Sequence, residues 1–210
     1  MAVSAEGIII CNEALLALGE APITAASIDG SPAEQFVFNK YEPIVKRLLG
    51  LHRWRFATKI DDNLNKLTDS PILRFNHVYQ APADLLLLKA VYSLSVPIQF
   101  ELIGNEIHTY SADNVKIEYI YTITEDRFSE AFREALMVRI MADMALGVIS
   151  NTTLYSTLKA EYREAFATAK LLDTQSGTTR RLGGPSKFIS AHRTGTRGGR
   201  GAEPGEEGYG

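Results

Sequence analysis

The residue types that most often carry chemistry are few and scattered in this sequence. None of the four histidines, His52, His77, His108 and His192, has a ligand-type partner three or four positions away. No single helix could therefore present a pair of them to a metal, and no metal ligand is assigned. The lone thiol, Cys11, lies on an apolar stripe with no basic neighbour to lower its pKa, so it reads as a small core residue. One cysteine also excludes an internal disulfide framework and a cysteine-based zinc cluster. Two adjacent carboxylate pairs, Asp61-Asp62 and Glu125-Asp126, have the residue types of a glycoside hydrolase. Neighbours on a strand face opposite ways, however, and acids at segment ends usually cap or meet solvent. Gly183-Gly184-Pro185-Ser186-Lys187 resembles a phosphate-binding loop in composition only, because no lysine follows its last glycine and no strand precedes it. Dinucleotide fingerprints, zinc-protease helices and serine-hydrolase elbows are missing. No catalytic residue, cofactor or metal is assigned, and the chain is not expected to be an enzyme.

Charge is distributed more informatively than its sum. The formal net charge is −3, yet residues 180–200 hold Arg180, Arg181, Lys187, Arg193, Arg197 and Arg200 with no acid among them. Glu203, Glu206 and Glu207 follow, so the rest of the chain stands at about −6. Ten of the sixteen glycines lie from Gly177 onward, where large apolar residues nearly vanish. Such a segment buries too little surface to offset its ordering entropy and is expected to be flexible until a partner holds it. An acidic body thus carries a basic arm. With 45% hydrophobic and 22% charged residues over its whole length, the chain is expected to be soluble and globular. The first ten residues lack the basic start of a secretory signal, no stretch is long enough to span a bilayer, and synthesis in the cytoplasm is expected.

Elements must position whatever function exists. A helix is expected over 5–18, with Ser4 as cap, Ile8, Cys11, Leu15 and Leu18 as buried stripe and Gly19 as stop. Ser31-Pro32-Ala33-Glu34 combines a capping box with proline at the first helical position and opens a second helix, which Pro43 should kink or delay. Strands are expected over 54–60, 75–79, 85–91, 98–103, 106–110 and 115–121. Gly104-Asn105 forms the turn of a hairpin within one small antiparallel sheet. A third, largely apolar helix starts near Ser129 and breaks at Gly147, and a fourth runs over 153–172. The fold class is therefore α+β: an antiparallel bundle of about four helices from residues 1–53 and 124–172, an inserted β domain over 54–123, and a C-terminal arm over 173–210.

The order of several motifs resembles one family. Asn12-Glu13-Ala14-Leu15 precedes Leu18-Gly19-Glu20-Ala21-Pro22-Ile23, and a capped helix then ends in Leu51-His52-Arg53-Trp54-Arg55-Phe56. Tyr79-Gln80-Ala81-Pro82-Ala83-Asp84 introduces a leucine-rich strand, and an alanine-rich helix follows from Phe128. Over roughly residues 8–172 this resembles the tail tubular protein A family of short-tailed phages. The resemblance implies a virion protein: an adaptor of the head-to-tail connector, repeated in a ring of twelve copies, that joins the portal protein to a tail nozzle of the tail tubular protein B type and passes phage DNA through its channel. Membrane contact is not implied. In that setting Arg180, Arg181, Leu182, Lys187, Phe188, Ile189, Arg193, Arg197 and Arg200 are the expected portal-docking residues. Two rival classes remain at this level, a nucleic-acid-binding protein using the basic arm and a tail-associated polysaccharide hydrolase.

Overall fold

Each of the four helices begins on a side-chain oxygen. In α1 (Ala5–Ala17), α2 (Pro32–Gly50), α3 (Glu130–Gly147) and α4 (Thr152–Gln175), the caps Ser4, Ser31, Ser129 and Asn151 accept N–H bonds from Gly7, Glu34, Phe132 and Leu154. Each cap satisfies one of the four donors that a helix start leaves free. At Ser31 the box is complete, because Glu34 accepts the Ser31 backbone N–H at 2.7 Å. α1 stops as expected: Gly19 adopts a φ of 79°, and the N–H of Glu20 bonds back to the Leu15 carbonyl at 2.9 Å. Pro43 neither ends nor delays α2. The computed structural model describes residues 3–67, 74–110 and 114–176. The nine candidate docking residues between 180 and 200 lie outside the described residues, as does the expected flexible arm from 177 onward.

Two helix assignments need correction. On α1 the buried set is Gly7, Ile10, Cys11, Ala14 and Leu15, while Ile8 and Leu18 are only partly buried, so the stripe is rotated from the one read by periodicity. The small residues Gly7 and Ala14 sit on the packed face because α1 approaches its neighbours closely. A Cβ on Gly7 would stand 2.9 Å from the ring of Tyr41. α4 runs to Gln175, three residues past the expected 172, because Asp173 is itself buried. α3 lies at the centre and packs against α1, α2 and α4. Phe132, Ala135, Leu136, Ile140 and Met144 fill the core with Ile10, Leu15, Leu48 and Leu49.

Among the described residues eight strands follow α2: β1 (Thr58–Asp61), β2 (Lys66–Leu67), β3 (His77–Gln80), β4 (Leu85–Ser93), β5 (Val96–Ile98), β6 (Phe100–Ile103), β7 (Glu106–Thr109) and β8 (Val115–Tyr121). They form two four-stranded antiparallel sheets, β1-β8-β4-β5 and β2-β3-β7-β6, rather than the single sheet expected. The run 98–103 is not one strand, because the chain crosses from the first sheet to the second at Gln99. Ile98 and Phe100 thereby reach the same core from two sheets. That core holds Tyr79, Leu88, Val91, Ile107, Ile117 and Tyr119. The alternation along β8 puts Ile120 on the other face of its sheet, where it joins the helical core. The fold is thus α+β, with four helices and two small sheets, and residues up to Ser176 make one compact unit.

The expected hairpin is present between β6 and β7, with Ile103 opposite Glu106 and Gly104-Asn105 as its turn. Gly104 takes a φ of 60° and has open space around its Cβ position, so the glycine is required by the backbone angle and not by crowding. Gly104→Val is expected to cost about 1–2 kcal/mol and to lower the melting temperature by several degrees. An unchanged thermal melt would show that the turn tolerates a side chain.

Candidate functional site

Where α2 ends, the sequence Leu51-His52-Arg53-Trp54-Arg55-Phe56 divides its side chains between core and surface. The expected strand over 54–60 begins only at Thr58, because Trp54 is drawn fully into the helical core. Its indole N–H donates to the Leu48 carbonyl at 3.0 Å, satisfying an acceptor in the last turn of α2. The ring meets Phe132 edge-on at 5.0 Å, Phe166 at 5.8 Å and Phe56 at 5.5 Å. With Trp54 inward, His52, Arg53 and Arg55 are left on the outer side. They line a pocket of about 540 Å³ with Thr58, Lys89, Glu118, Asp173 and Thr174.

The carboxylates of this pocket are already engaged. Asp173 accepts the backbone N–H of Arg55 at 3.0 and 3.3 Å and lies 3.4 Å from His52 Nε2, with only 6% of its side chain exposed. An acid in the last turn of a helix is opposed by the helix dipole, and burial opposes it again. These tertiary partners keep it there, clasping the end of α4 to the segment after α2. Glu118 on β8 pairs with Lys89 on β4 at 2.7 Å and accepts the Tyr92 hydroxyl at 3.2 Å, while Lys89 also donates to Thr58 Oγ1 at 3.0 Å. Burial raises the Glu118 pKa, but the Lys89 and Tyr92 bonds and the Arg53 charge outweigh it and hold the carboxyl below its ordinary value. Glu118 is therefore ionised at neutral pH. The stability it contributes is complete above the ordinary glutamate range and lost as pH falls through the lowered value.

The residues singled out by sequence do not converge. Asp61 accepts the N–H of Asn63 within a local turn, and Asp62 reaches Lys116 at 3.4 Å. Glu125 and Asp126 open a one-turn 3-10 helix. Cys11 is buried, and burial, with a smaller contribution from Glu125, pushes its thiol up to about 12, out of the nucleophilic range at neutral pH. His77 lies on β3, His108 is buried on β7 with Nε2 3.4 Å from Glu106, and His52 stands in the pocket. Among the described residues no group of three or more His, Cys, Asp or Glu side chains is placed to hold a metal. His192 and the Gly183 to Lys187 loop lie outside the described residues. Periodicity missed Lys89, Glu118 and Asp173. Only Lys89 left a signal, a charge interrupting the apolar run from Leu85 to Val91.

The other motif residues are structural staples. Asn12 bonds both ways to the backbone of Ile23, at 2.8 and 2.9 Å, and so ties the loop after α1 to that helix. Asp84 accepts the Tyr119 hydroxyl at 3.0 Å and Lys59 at 3.3 Å, and its carbonyl accepts the Thr122 N–H. A larger groove of about 690 Å³ runs between α2 and α3, with Phe36, Ile44 and Leu48 in its wall and Lys40 and Arg47 beside them. No described helix is long and apolar enough to cross a membrane. Compared with known proteins, the chain matches no protein-family model and no curated protein.

Proposed function

We propose that this chain is a structural adaptor of the tail tubular protein A kind, one that joins the portal to the tail nozzle in a phage head-to-tail connector. The observation that carries the reading is the order of the motifs from Asn12 to Phe128, each of which has a definite packing or loop-tying role in the fold. In this reading the helices form an antiparallel bundle whose copies pack sideways into a ring of twelve around the DNA path. The segment after α4 is a flexible arm that orders on the portal through Arg180, Arg181, Leu182, Lys187, Phe188, Ile189, Arg193, Arg197 and Arg200. The protein then resides in the virion, acts without a cofactor and catalyses nothing.

Exposed apolar side chains supply contact surface for such packing. Ile9 and Leu16 share one face of α1, and Leu94 and Val96 crown the β4–β5 hairpin. Leu94 takes a φ of 49° in a turn where Asn or Gly would be more stable, so an apolar tip is kept at a conformational cost of about 1 kcal/mol. The test mixes purified chain with purified portal and follows both by mass photometry and negative-stain imaging. Monomers or small oligomers are expected alone, and closed rings seated on the portal when it is present. Failure to form any complex with the portal would overturn the reading.

A further inference from the structure

We infer that the pocket formed by His52, Arg53, Arg55 and Lys89 binds a phosphate group. This inference stands apart from the adaptor reading and rests on the charges left over inside the pocket. Both carboxylates in its wall are engaged, Glu118 by Lys89 and Tyr92, and Asp173 by the Arg55 backbone and His52. The two threonine hydroxyls have also spent their protons, Thr58 on the Trp54 carbonyl at 2.6 Å and Thr174 on the Lys170 carbonyl at 2.8 Å. Arg53 and Arg55 line the pocket with no ion pair or side-chain hydrogen bond among the described residues, although the Arg53 charge also acts on Glu118. Lys89 has three N–H donors, of which Thr58 and Glu118 take two. Counting its arginine, lysine and carboxylate side chains, the pocket carries a formal charge of +1 in a body that is otherwise acidic.

The donor set selects the ligand. The pocket wall offers two arginine side chains and one unused ammonium proton, about five N–H donors with each guanidinium presenting one fork, against about four lone-pair sites on a carboxylate, whereas a tetrahedral phosphate can accept from all three side chains. Burial strengthens the Lys89 contact relative to open surface, because its side chain is only 15% exposed, while Arg53 and Arg55 are exposed. The phosphate can come from a free ion or from a nucleic-acid backbone, and the experiment separates the two.

Trp54 is the only tryptophan of the chain, and its ring stands 4.7 Å from that of His52, so it reports on this pocket. The full chain is titrated with inorganic phosphate, and separately with a short duplex DNA, at constant ionic strength while Trp54 emission is followed. A saturable change is expected with inorganic phosphate, weakened about tenfold in each of Arg53→Gln and Arg55→Gln. A matching Arg-dependent change with the duplex assigns the site to backbone phosphodiesters as well. If neither probe gives a saturable change, or if both arginine variants bind as tightly as the unsubstituted chain, the inference fails. Both arginines are exposed, and far-UV circular dichroism confirms that the variants are folded.

Discussion

In the proposed adaptor role, a chain cut after Ser176 is expected to fold normally and to fail to bind the portal. The cut preserves the clasp at Asp173, whose own carbonyl accepts the Ser176 hydroxyl at 2.7 Å. It removes all six basic residues of the arm together with Leu182, Phe188 and Ile189. A cut four residues earlier, after Leu172, should behave differently. It deletes Asp173, leaves the Arg55 N–H without its acceptor and is expected to cost about 1–3 kcal/mol of stability. Within the full chain, Phe188→Ala should weaken portal binding more than any single arginine-to-alanine change. Burying a phenylalanine is worth about 1.5–3 kcal/mol, against about 0–1 kcal/mol for a screened surface ion pair. Pull-down with purified portal and thermal melts of the two truncations check these expectations together. Near-native binding by the chain ending at Ser176 would show that the arm is not the anchor.

The second large effect concerns Trp54. Trp54→Ala is expected to cost about 3–5 kcal/mol, a large share of the stability of an ordinary domain, and to lower the melting temperature by about 10 °C or more. The loss combines the cavity left among Phe56, Phe132 and Phe166 with one of the two hydrogen bonds to the Leu48 carbonyl, which then accepts only the Leu51 N–H. Trp54→Phe separates the two, since it restores most of the ring packing but not the indole donor, and should recover more than half of the loss. Circular dichroism melts measure both. Equal stability of the Ala and Phe variants would mean that ring packing is not what holds this junction.

The same residue shows how far local reading goes. Helix starts were legible because a cap is a local device: Ser31-Pro32-Ala33-Glu34 and Ser129 announce themselves within four positions. The turn at Gly104-Asn105 was legible for the same reason. Trp54 to Phe56 look like the start of a strand by residue type, but the pull of the aromatic core from α3 and α4 overrides that preference. The crossing at Gln99 was hidden because Ile98, Phe100 and Leu102 keep the alternation of a single strand while serving two sheets. Within the pocket, His52, Arg53 and Arg55 belonged to a motif already noticed, whereas their partners came from β4, β8 and the end of α4. Asp173 lies 118 positions from Arg55, and no window along the chain joins them.

The pairing of β1 with β8 sets the order in which this molecule can assemble. Thr58 lies opposite Ile120, so this ladder closes a loop of roughly 60 residues, at an entropic cost of at most about 3–4 kcal/mol, which pairings formed earlier inside the loop reduce. The β4–β5 and β6–β7 hairpins are closed by two residues each and form first. α2 and α3 stand on opposite sides of that loop, and the helical core joins them. A nascent chain thus holds α1 and α2 without α3, the helix both pack against, until α3 has left the ribosome.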